Sequence, residues 1–277
     1  MLKLIPLNRT IEKNLILENV TYEEGDLIFV SGSIIEGIGN LKSDLDIFVV
    51  SKEFKIRKNY QIVYDNAGVK VTFKKIENIP CDIEYWPWEV LEEIIEQINN
   101  IDFNDLNKRT INQLKIPGYT IHQLSSFLHR FLIGKPLSNE KEFNRLSEKL
   151  NRDNYYKLMA RVYIGFIDND YSDIIGNLEN NEVETSILIA RSTLVKASIA
   201  YIFSKKKSIN KEKWAYIHMR ALAETDNVSM NIFNDYRSYL FKDLNTMTNK
   251  NLIMHVEDLL NFINHLIENA ENNIDSY

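Results

Sequence analysis

Two short apolar runs, Leu27-Ile28-Phe29-Val30 and Ile47-Phe48-Val49-Val50, bracket a segment that turns at Gly32-Ser33 and returns through Asp44-Leu45-Asp46. Ten residues separate the serine from the first aspartate. Apolar runs of this length bounded by turn residues read as buried strands. Alternate side chains of a strand point the same way, about 7 Å apart, so Asp44 and Asp46 share one face while Leu45 and Ile47 face a core.

Two carboxylates held that closely repel one another unless cations neutralise them. Mg²⁺ suits the role, since it takes hard oxygen ligands from one or two carboxylates and from substrate phosphates. The Gly32-Ser33 turn is the complementary half. Glycine lets the backbone approach a phosphate, and a serine hydroxyl with neighbouring N–H groups can bond its oxygens. Together these features point to a metal-bound nucleoside triphosphate.

The stretch Val30-Ser31-Gly32-Ser33, its ten-residue spacer and Ser43-Asp44-Leu45-Asp46-Ile47 resemble the nucleotidyltransferase superfamily of DNA polymerase β. That resemblance implies two Mg²⁺ ions on Asp44, Asp46 and a third acid from a neighbouring strand. Cys81-Asp82-Ile83-Glu84-Tyr85-Trp86 supplies two candidates on one face, Asp82 and Glu84, either of which can be the metal ligand or the base for an attacking hydroxyl. Asp82 fits the pattern of an acid between apolar residues slightly better, and the resemblance makes it the third metal ligand. It further implies that a hydroxyl of a small molecule attacks the α-phosphorus of ATP or another NTP and pyrophosphate leaves. Glu36 stands before Gly37, where many superfamily members carry arginine. The antibiotic nucleotidyltransferases of the streptomycin and spectinomycin type tolerate an acid there, and this turn is similar to theirs.

The remaining composition narrows the partners. At 277 residues the chain has room for two ordinary domains. Its net charge of −6 offers no global basic field for a long nucleic acid, which favours a small-molecule acceptor. The single cysteine, Cys81, sits in an apolar strand context and reads as a core residue of a cytoplasmic protein. The apolar stretch 186–203 is interrupted by Arg191 and Lys196, so it reads as a buried helix and not a membrane span. Oligomeric state stays open, a homodimer included.

Strand-like runs at 27–30, 46–51, 61–64, 69–74 and 81–86 give way to helical periodicity after Pro87, with turns expected at 116–118, 134–136, 167–172 and 205–210. The expected fold is a mixed α/β catalytic domain over residues 1–110 followed by an all-α helical bundle over 111–277. In the antibiotic nucleotidyltransferases such a bundle closes over the sheet. Three basic residues of the helical half are candidates for holding the nucleotide. Arg191 and Lys196 lie in an apolar helix, where charge needs a triphosphate or an internal partner. Lys213 follows a lysine-rich loop and precedes Trp214, with a solvated charge run as its alternative. Tyr85, Trp86 and Trp88 can stack on a ring or pack between domains. Competing functions on the same fold are transfer to a protein or RNA acceptor, as in toxin–antitoxin systems, and an inactive nucleotide-binding scaffold.

Overall fold

The computed structural model describes residues 1–52, 64–66, 69–105 and 112–276, and forms two compact units, the first ending at Asn151 and the second starting at Arg152. In the first unit, β1 (Leu2–Leu4) and β2 (Arg9–Ile11) pair as an antiparallel ribbon, and α1 (Lys13–Glu18) follows. Then come β3 (Leu27–Ser31), the single-turn α2 (Ser33–Glu36), β4 (Leu45–Ser51), β5 (Tyr64–Asn66), β6 (Val69–Ile76), β7 (Ile79–Pro87) and α3 (Trp88–Asn99). The unit closes with α4 (Ile121–Ile133), β8 (Lys135–Ser138) and α5 (Glu140–Lys149). Six strands form one sheet in the order β5-β6-β7-β4-β3-β8, antiparallel throughout except for the parallel pair β4 and β7.

Period-two alternation sorts the sheet's side chains between two cores. Ile28, Val30, Leu45, Ile47, Val49, Cys81, Ile83 and Tyr85 pack on one face with Leu4, Ile11, Ile16 and Ile34. On the other face, Phe29 stacks on Phe48 at 4.9 Å between ring centroids, and α4 and α5 cover them with Phe127, Phe131 and Phe143. Aromatic pairs of this kind contribute about 0.5–1.5 kcal/mol beyond their buried area. This second face carries the acids, so α4 and the carboxylates share one side of the sheet.

The expected strands at 27–30, 46–51, 69–74 and 81–86 are all present, each extended by one to three residues. The strand expected at 61–64 lies outside the described residues except for Tyr64, as does the domain boundary expected at 110. Residues 112–151, assigned from sequence to the helical half, belong instead to the first unit. Apolar α4 buries Phe127, Leu128 and Phe131 against the sheet, which needs that cover. Gly134-Lys135-Pro136 is a turn only at its first residue, because Lys135 and Pro136 start an edge strand on β3. Proline is tolerated on such an edge. The Gly134 backbone passes so close to Phe29 that a Cβ would come within 2.7 Å of its ring.

The second unit holds five described α-helices: α6 (Arg152–Glu179), α7 (Val183–Ser204), α8 (Ala215–Ala223), α9 (Asn227–Leu240) and α10 (Asn249–Asp275). Helix α7 packs against the other four. It is long and apolar enough to cross a membrane by length and composition, yet 67% of that stretch is buried inside the protein, as befits a core helix. The turn expected at 167–172 is a correction: α6 runs straight through it. Tertiary partners hold this polar stretch helical. Asp170 accepts from Lys196 and Thr193 of α7, and the Tyr171 hydroxyl donates to Asn264 of α10.

Candidate functional site

Strand β3 ends at Ser31, paired with Asp46, and the next residue, Gly32, adopts φ 81° and ψ −174°. A Cβ on Gly32 would fall 1.6 Å from Oδ2 of Asp46. The carboxylate therefore lies against bare backbone, which glycine alone permits. After α2, the Ser33 carbonyl accepts the N–H groups of Gly37, Ile38 and Gly39 at 2.8–3.1 Å. The Asn40 N–H then donates to Ser43 Oγ at 2.9 Å. The ten-residue spacer is thus folded into consecutive turns that deliver exposed Asp44 to the start of β4.

The parallel register sets Asp82 beside Asp46, and Glu84 beside Phe48. On β6, Phe73 pairs with Asp82 and Val71 with Glu84. Asp46 and Asp82 therefore form one row across neighbouring strands about 4.8 Å apart, with Asp44 preceding Asp46 by two residues. Asp44 and Asp82 line one open groove of about 540 Å³ together with Phe73, Lys75 and Pro80. Glu84 is differently engaged, its Oε2 accepting the Trp86 indole N–H at 3.0 Å. Among the described residues, no three His, Cys, Asp or Glu side chains sit at metal-holding spacing.

A cation beside Asp46 comes from α4, and the sequence reading missed it. Helix α4 starts in a capping box, Thr120 accepting from the Gln123 N–H while Gln123 Oε1 accepts from the Thr120 N–H. Two turns on, Arg130 is 8% exposed. Its Nη2 stands 3.9 Å from Asp46 Oδ1, its Nη1 donates to Ser126 Oγ at 2.5 Å, and its guanidinium lies 5.6 Å from the Phe48 ring centroid. The Ser31 hydroxyl donates to the Arg130 carbonyl at 2.6 Å, tying α4 to the end of β3. The neighbouring His129, also buried, brings Nε2 within 3.5 Å of Glu36 Oε2. The acid that departs from the usual arginine of the turn thus faces a histidine. A buried arginine beside a histidine inside the apolar run Phe127 to Ile133 is the available signal, of the same kind as Arg191 and Lys196.

Those two residues and Lys213 belong to the second unit, where each has local company. Arg191 donates to the Lys242 carbonyl at 2.7 Å, Lys196 pairs with Asp170 at 2.7 Å, and exposed Lys213 lies 4.8 Å from the Trp214 ring. The aromatic cluster has its partners within the first unit. Trp86 stacks on Phe127 at 4.0 Å, Tyr85 joins the opposite core, and Trp88 receives Lys52 at 4.7 Å. Cys81 is buried, and burial pushes its thiol up to about 11.

A pocket of about 290 Å³ opens beside Glu84, bounded by Val69, Val71 and Trp86 on the sheet and by His122, Gln123, Ser126 and Arg130 on α4. No family model and no curated relative matches the sequence. Among solved structures, a nucleotidyltransferase-like protein from Exiguobacterium sibiricum 255-15 is similar over 92% of this chain and 73% of that chain, with a TM-score of 0.48 and 10% identity. At that distance the chemistry of the site is read from its own residues.

Proposed function

We propose that this chain transfers a nucleoside monophosphate from a nucleoside triphosphate, ATP in the first instance, to a hydroxyl of a small molecule. The observation that carries the reading is Asp46, seated against Gly32 and in register with Asp82. Hard carboxylate oxygens are the donor type that Mg²⁺ takes, and the missing side chain at Gly32 leaves Asp46 room; Asp44, Asp46 and Asp82 would hold the ions once their side chains converge, since here the three do not stand at metal-holding spacing. When bound, Mg²⁺ supplies charge neutralisation and orientation of phosphate oxygens.

The chain's own residues account for the rest. The Gly32-Ser33 turn offers backbone and hydroxyl donors to phosphate oxygens. Asp82 accepts the proton of the acceptor hydroxyl as its oxygen bonds to the α-phosphorus; the bond from that phosphorus to the bridging oxygen breaks, and pyrophosphate leaves. Arg130 keeps a positive charge beside Asp46. Such a reaction draws on the nucleotide pool, so we assign it to the cytoplasm. Antibiotic alcohols are one acceptor class for it.

The test is pyrophosphate release by the full chain with Mg²⁺, each of the four ribonucleoside triphosphates and pooled alcohols including aminoglycosides. Acceptor-dependent release that disappears in Asp46→Asn is the expected result. Equal release by Asp46→Asn, or none by the wild type with any pair, would sink the proposal.

A further inference from the structure

The pocket beside Glu84 has a one-sided chemistry. Three of the four polar residues on its α4 wall, Gln123, Ser126 and Arg130, have donors to offer. Gln123 Oε1 is occupied by the N–H and hydroxyl of Thr120, so what Gln123 presents is its NH₂. Ser126 Oγ already accepts from Arg130, which leaves its O–H to donate. Arg130 is more than nine-tenths buried, and its Nε has no hydrogen-bond partner among the described residues. Its nearest acid, Asp46, stands at 3.9 Å, beyond hydrogen-bond distance. That Nε is closed to solvent, so an anion in the pocket would meet the outer N–H groups of the guanidinium, one of which, on Nη1, already donates to Ser126; a buried guanidinium is costly unless acceptors reach it. The opposite wall is apolar Val69, Val71 and Trp86, with Glu84 as the one carboxylate among the described lining residues, and it already accepts the Trp86 N–H.

From this we infer that the pocket binds a compact alcohol carrying an anionic group, a carboxylate or a phosphate, with the anion on Arg130 and Ser126. Resting on the transfer reading, this molecule is the acceptor: the Val71–Glu84 pair of the pocket lies two residues along β6 and β7 from the Phe73–Asp82 pair and on the same face, so a hydroxyl at the Glu84 end lies toward the Asp46–Asp82 row. The same chemistry disfavours a polycationic aminosugar. Several ammonium groups need several acids, and a volume of about 290 Å³ is at the small end of ligand pockets.

Calorimetric titration of the full chain, without metal or nucleotide, tests the pocket apart from the reaction. The probes are glycerol 3-phosphate and lactate, with glycerol and kanamycin as neutral and cationic comparators. At least one anionic alcohol is expected to bind, roughly ten- to hundred-fold more weakly to Arg130→Gln. Val71→Phe, which fills the pocket from the sheet side, is expected to block binding with Arg130 intact, and circular dichroism melts establish that each variant is folded. Binding of neither anion, binding unchanged in either variant, or displacement by kanamycin would overturn the inference. Pyrophosphate release with Mg²⁺-ATP and the bound probe is then measured separately. Binding that depends on Arg130 without release would remove the transfer reading and the acceptor role while leaving the anion pocket standing.

Discussion

Asp46 Oδ2 fills the space that a side chain on Gly32 would need, 1.6 Å from the position of its first carbon. The carboxylate and the glycine are therefore one device: a side chain at Gly32 cannot be added without moving the carboxylate. Gly37 also has a positive φ, 86°, but with ψ 7° it lies in the left-handed helical region and not in the extended one of Gly32, and it has nothing within 4 Å of a Cβ. Gly37→Ala is expected to cost only the left-handed backbone penalty, about 1–2 kcal/mol. Gly32→Ala adds an overpacking cost of about 1–3 kcal/mol and expels the carboxylate, so pyrophosphate release disappears. Urea denaturation and the release assay on both variants check this; equal behaviour of the two would mean that the contact with Asp46 is unimportant.

The β4–β7 register separates the two candidate third acids. Asp82 stands in the row of Asp46, whereas Glu84 lies beside Phe48 and accepts from Trp86. Asp82→Asn is expected to lower kcat by about 10²–10⁴, while Glu84→Gln acts mainly on the acceptor's KM. Steady-state kinetics with saturating nucleotide decide it, and the reverse pattern would reassign the base to Glu84.

Within the second unit, Lys196 and Asp170 form a short ion pair, 24% and 16% exposed, with Thr193 as a third member. Removing one charge leaves the other half-buried and undercompensated. Lys196→Met and Asp170→Asn should each destabilise, and the double variant should lose less than their sum, with a coupling of about 0.5–3 kcal/mol. A coupling of zero in urea melts would show that the pair adds nothing to the fold.

What could be read from the chain follows from the range of the interactions involved. Alternation along Phe29, Phe48 and Asp46 is a property of single strands, so the acid-bearing strands were legible one by one. That Asp82 would neighbour Asp46 rested on strand order, which no local pattern encodes; the resemblance of the Gly-Ser and Asp-Leu-Asp segment supplied it. The place of Arg130 beside Asp46 is not legible from the sequence, because a cation within Phe127 to Ile133 meets Asp46 only through the packing of α4 on the sheet, which is distant in sequence. Conversely, Ile167 to Ser172 looks like a turn because aspartate, asparagine and serine favour local backbone bonds. The partners of Asp170 on α7 and of Tyr171 on α10 are distant in sequence, and those contacts outweigh the local preference.

Helix α9 begins at a carboxylate whose titration can be followed directly. Asp226 is its N-cap, and its carboxyl is held down to about 2, first by the Ser229 N–H at 2.7 Å, then by the hydroxyls of Ser229 and Thr225 and by Lys205. A carboxyl depressed in the folded state stabilises the protein above its ordinary value near 3.9, and that contribution fades as the pH falls toward about 2. Asp226→Ala is therefore expected to cost about 0.5–2 kcal/mol at neutral pH, the usual worth of an N-cap. The difference between wild type and variant should shrink as the pH falls through 4, because protonation disarms the wild-type cap while the alanine has nothing left to lose. Urea melts of both proteins at pH 7 and pH 3 measure this, and a gap that stays constant or widens in acid would mean that the charge of Asp226 does not hold the start of α9.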